Sequence, residues 1–163
     1  MKATFIILVV GDLLLMSLTA LAGFMGWSES AWGVRHALLG VLTGLYTCLV
    51  QVVTFMYFVV CGKIVGQAVE SGQCGADVLH RVLGLKRRAM RCSAAGIVAI
   101  LAAVGTGGAA VNFLGSPSLH MVVAFSAVII NSIVFIQQFG IIEQNCRVFD
   151  EAFPEAGDTA PSD

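Results

Sequence analysis

Charged residues make up only 12% of this 163-residue chain, and four long stretches are almost free of them. The stretches run over 3–26, 37–61, 92–113 and 121–142, and Asp12 is the only charge inside any of them. Each reaches the ~20 residues that a helix needs to cross the hydrocarbon core of a bilayer. So little charge leaves no room for a soluble domain. Catalytic patterns are missing too. There is no His-Glu-x-x-His and no glycine-rich loop ending in Lys-Ser/Thr. The histidines sit at loop edges, where no Ser–His–Asp arrangement can be argued. The five cysteines form no CxxC pair. A non-catalytic or electron-transfer subunit is therefore expected rather than a stand-alone enzyme.

The expected fold class is all-α, a four-transmembrane-helix up-down antiparallel bundle in one membrane domain, 1–153. Short outer connections favour that arrangement. Lys2 and the Ala20-Leu21-Ala22 pattern imitate a signal peptide. The apolar run is too long for one and is interrupted by Asp12, so the segment is expected to stay as the first helix. Six of nine Lys and Arg residues fall between Lys63 and Arg91, and Lys2 and Arg147 lie in the terminal regions. Four spans put eight of the nine on one side, and the positive-inside rule makes that side the cytoplasm. The expected location is the membrane, of the bacterial inner-membrane kind, with both termini cytoplasmic. The basic loop reads as a topology signal in contact with anionic lipid, and no nucleic acid is expected.

Helices 2, 3 and 4 are expected to outlast the membrane. No proline follows Cys61 until the turn Ser71-Gly72-Gln73-Cys74-Gly75. Asp77 can cap a new helix with Val78, Val82 and Leu85 at helical spacing. A cytoplasmic helical hairpin over 62–91 follows, and the fourth helix runs on to Phe153. Pairing of these segments would shield Val65, Val69, Val82, Leu85, Val148 and Phe149. The acidic tail 154–163 cannot bury enough apolar surface to order itself. On the outer side, Trp27 and Trp32 suit the interfacial aromatic belt, and Pro117 can open the fourth helix.

Polar residues fall on stripes. His36, Gly40, Gly44, Thr47, Gln51 and Thr54 share one face of the second helix. His120, Ala124, Ala127, Asn131 and Gln138 share one face of the fourth, and Asp12, Met16, Thr19 and Gly23 one face of the first. The third span is rich in small residues, Gly96, Ala99, Ala103, Gly105, Gly107 and Gly108. Two readings stand. Small residues and amides are the ordinary glue between membrane helices. Alternatively, His36 and His120, at the same outer depth, would ligate a b-type haem. Gly40, Gly44 and Ala124 would give its flat ring room. No metal beyond that iron is expected. Cys61, Cys92 and Cys146 share a depth, but as packing residues.

Asp12 is too deep to snorkel, so it should face protein or water. By helical rise it lies about 20 Å from the outer surface, as does Gln51, with Asn131 at about 16 Å. These three are candidates for proton or quinone handling. In helix count and outer histidines the chain resembles, in general architecture only, the small cytochrome b subunits of respiratory enzymes. That resemblance implies a membrane subunit of a quinone-linked electron-transfer complex, with haem b and quinone as cofactors. The alternative is a scaffold or accessory subunit that docks other membrane subunits or a second copy of itself. A small transporter or channel built on Asp12 is the third reading.

Overall fold

The computed structural model of the protein describes residues 1–25, 30–111 and 116–153, with side chains described over 1–25, 33–110 and 116–153. Trp27, the side chain of Trp32, Gly115 and the acidic tail lie outside the described residues. The chain is all-helical, with α1 Lys2–Met25, α2 Ser30–Glu70, α3 Ala76–Val111 and α4 Pro117–Ala152. All four are long and apolar enough to cross a membrane.

Prolines explain the lengths. The three in the chain are Pro117, Pro154 and Pro161, so none interrupts a helix. Pro117 opens α4 at its first turn, as expected, where its missing N–H costs nothing. The turn after α2 falls where the sequence places it. Gly72 takes a φ of +75°, the Gly72 N–H bonds Val69 O and the Gln73 N–H bonds Ala68 O. This is a Schellman closure, in which a residue in left-handed conformation lets the last carbonyls find donors. Asp77 differs from expectation in detail. The helix begins one residue earlier, at Ala76, so Asp77 sits in the first turn, where its charge complements the helix dipole.

Polarity is distributed inside out. Ile136 is 74% exposed and Ile7 71%, whereas Asp12, Thr47, Gln51, Asn131, Gln138 and Asn145 are 0% exposed. In water this would be ruinous, but in lipid it is required. Apolar side chains lose nothing facing hydrocarbon, and polar groups must find partners inside. The helices pack in a ring, α1 on α2, α2 on α3, α3 on α4 and α4 on α1. Beyond the apolar spans, α2, α3 and α4 continue as helices and bury Val65, Val82, Leu85 and Val148 against one another, with Val69 and Phe149 half-buried beside them. Arg81 and Glu151 join α3 to α4 on the outside of this extension at 2.8 Å.

Candidate functional site, a buried polar seam

The seam starts at the histidines. The rings of His36 and His120 meet edge to face with centroids 5.9 Å apart. Glycines on the neighbouring helices make the space. A Cβ on Gly23 would lie 3.0 Å from the His36 ring, and one on Gly107 would lie 2.9 Å from the His120 ring. A backbone carbonyl fixes the tautomer of His36. His36 Nδ1 lies 3.0 Å from Thr19 O, which can only accept, so Nδ1 donates. His120 Nδ1 lies 3.3 Å from Thr106 Oγ1, a hydroxyl that also reaches Ala102 O and Ala103 O and so can give its proton to the ring or to either carbonyl. A neutral His36 keeps a lone pair on Nε2.

Threonines carry the seam inward. Thr19 and Thr43 share a hydrogen bond of 2.7 Å. Thr47, one turn below Thr43, donates to Asp12 Oδ1 at 2.8 Å and lies 2.9 Å from Thr43 O. Asp12 thus faces the bundle, as its depth requires. Its hydrogen-bond partner is Thr47 rather than Gln51 or Asn131.

Amides take over next. Gln138 Nε2 donates to Gln51 Oε1 at 2.7 Å and to Ser93 Oγ at 3.0 Å, joining α4, α2 and α3 at one level. Asn131 donates to Gly96 O at 3.3 Å. Gly96 is what admits this node. A Cβ there would lie 2.7 Å from both Asn131 Oδ1 and Gln51 Nε2. An acceptor and a donor therefore face the same notch. At the far end Asn145 donates to Tyr57 Oη at 3.0 Å and to Cys61 Sγ at 3.4 Å. Among the described residues, five buried polar side-chain atoms have no hydrogen-bond partner: Asp12 Oδ2, Gln51 Nε2, Asn131 Oδ1, Gln138 Oε1 and Asn145 Oδ1. Such atoms are costly in a low-dielectric interior.

The structure therefore brings together His36 with His120, and Gln51 with Asn131 around Gly96. The small residues expected to make room for a flat ring are partly occupied by side chains. Gly44 is filled by Val104, whose Cγ2 would be 2.8 Å from a Cβ there, and Gly40 looks onto the Thr19 methyl. Phe24 and Phe125, both exposed, lie with ring centroids 6.3 Å apart. Ala124 is only half-buried. The cysteines do not converge. Cys61 and Cys146 flank Tyr57, while Cys92 donates to Gln137 on an exposed face. No group of three or more metal-ligating side chains occurs among the described residues.

Thr43, Ser93, Tyr57 and Asn145 escaped the sequence reading. Periodicity held the signal for three of them. Thr43 precedes Thr47 by one turn, Ser93 precedes Gly96 by three residues, and Asn145 follows Gln138 by two turns. Compared with protein-family models, with curated proteins and with solved structures, the chain matches none.

Proposed function

We propose that this protein is a non-catalytic membrane subunit that moves protons along its buried seam, in the service of a redox or transport partner. The observation behind this reading is the file of buried and half-buried groups His36, His120, Thr19, Thr43, Thr47 and Asp12, with direct side-chain bonds between Thr19 and Thr43 and between Thr47 and Asp12. Each hydroxyl can donate and accept a proton by rotation of its O–H bond, and water is needed to carry it past the carbonyls of Thr19 and Thr43, which only accept. The imidazoles and the carboxyl are groups that can hold it. Ordinary helix glue needs only isolated hydrogen bonds, whereas these groups follow one another along half the bundle, bridged at two points by the backbone carbonyls of Thr19 and Thr43.

The bundle is read as up-down and antiparallel. Pairings with opposed numbering support this: Thr19 meets Thr43, and Asp12 meets Thr47. Eight of nine basic residues then share the side of both termini, which the positive-inside rule assigns to the cytoplasm. In that orientation the histidine pair opens outward, and the extended ends of α2, α3 and α4 offer the docking surface for a partner subunit.

The test is proton uptake by the full chain in sealed vesicles under an imposed potential, read with an internal pH dye. Asp12→Asn keeps the acceptor for Thr47 but cannot release a proton. It is expected to fold and to lose flux by tenfold or more, while Asp12→Glu keeps part of it. Equal flux in wild type and Asp12→Asn would overturn the reading. A b-type haem on His36 and His120 stands as the second reading, favoured by the anchoring of His36 Nδ1 on Thr19 O, which is how ligating imidazoles are oriented. It requires Gly44 and Val104 to part. A Soret band in the native protein that vanishes in His36→Ala and in His120→Ala would support it. A colourless folded protein would reject it.

A further inference from the structure

Two cavities run end to end along the junction of α3 and α4, and their chemistry changes along their length. The first, about 470 Å³, is lined by Ala95, Ile130, Ile133 and Val134 within the apolar spans, and by Arg88 and Arg91 at its end. The second, about 950 Å³, begins with the same two arginines and continues past Arg81, Arg87 and Arg147. Arg81 is held by Glu151 and Arg147 by Glu143. Arg88 and Arg91 make no ion pair among the described residues and stand one turn apart on one helix face.

We propose that this groove binds one anionic phospholipid of the leaflet on the basic side, with its phosphate on Arg88 and Arg91 and an acyl chain along Ala95, Ile130 and Ile133. Charge complementarity selects the anion, since guanidinium pairs bind phosphate oxygens well. Continuity selects the lipid. A free phosphate has no use for the apolar half, which lies on the membrane side of the arginines. An acidic protein segment would be expected on the far side of them, away from the hydrocarbon. Basic pockets between helices at a membrane surface are suited to phospholipid headgroups. The site rests on the membrane placement of the helices and is independent of proton movement.

The experiment uses the full chain in vesicles of equal parts phosphatidylcholine and phosphatidylglycerol. After extraction in mild detergent, lipid retained per chain is counted by mass. Wild type is expected to keep about one phosphatidylglycerol in preference to phosphatidylcholine. Arg88→Gln/Arg91→Gln is expected to lower that retention by about tenfold to thirtyfold. Lys63→Gln/Lys86→Gln removes two charges from the same end off the groove and should leave retention unchanged. Ile133→Trp fills the apolar half without altering charge and should also expel the lipid. Equal losses in the two charge-removing doubles would mean diffuse attraction and would overturn the site. So would displacement of the lipid by inorganic phosphate, or retention undisturbed by Ile133→Trp. A groove free of lipid in wild type would do the same and leave an acidic partner segment as its occupant. Because retention is counted without any proton gradient, failure here is separate from failure of the proton reading.

Discussion

The two halves of the seam are built from different groups. The half that opens at His36 and His120 is made of hydroxyls, imidazoles and a carboxyl. The half that runs from Gln51 to Asn145 is dominated by amides. A hydroxyl rotates one proton among several acceptors, so the threonines close their bonds with little left over. An amide has its donors and acceptor at fixed positions. Four of the five unpartnered buried atoms accordingly belong to Gln51, Asn131, Gln138 and Asn145. Under the proposed function, the histidine half passes protons and the amide half fixes the helices relative to one another.

That contrast can be broken most forcefully at Gly96. Gly96→Val drives a side chain into the notch shared by Asn131 and Gln51, and should cost about 3 kcal/mol or more, from overpacking and from polar groups pushed off their partners. Unfolding in a denaturing detergent titration would measure it; a change below about 1 kcal/mol would mean the amide node is loosely held. Gln138→Leu comes next. It strands Gln51 Oε1 and should cost about 1–2 kcal/mol, with proton flux reduced less than in Asp12→Asn. Thr47→Val sharpens the comparison from the other side. Its stability cost should be near 0.6 kcal/mol, the average for a bond between membrane helices, yet flux should fall as far as in Asp12→Asn. If Gln138→Leu lowers flux more than Thr47→Val does, the assignment of roles to the halves is reversed. The smallest effect is expected at the exposed pair of Arg81 and Glu151. Arg81→Ala should change stability by less than about 1 kcal/mol, and less still at high salt.

The four helices, their lengths and the inward turn of Asp12 were legible in the sequence, because the physics behind them is local or one-dimensional. Hydrocarbon thickness sets the runs, proline and glycine mark the ends, and a carboxyl cannot face lipid. Pairing across helices was harder. Depth along the axis put Asp12 level with Gln51, but rotation about the axis decides which neighbour a side chain meets, and Asp12 met Thr47. The glycines carried the same ambiguity. Gly40 and Gly44 read as room for a flat ligand, yet Gly44 accommodates Val104, while Gly23 and Gly107 are the ones that make room for the histidine rings. A missing Cβ announces close approach without saying of what.

The bond between Asp12 and Thr47 also bears on how the protein is made. Their separation is 35 residues. At about 5–20 residues per second, roughly 2–7 s pass between synthesis of the carboxyl and synthesis of its partner. During that interval α1 is a hydrophobic helix with an unpartnered acid near its middle, a poor candidate for release into lipid by itself. The ribosome-bound chain is therefore best served by delivering α1 and α2 to the bilayer together, as a hairpin already joined at Thr47.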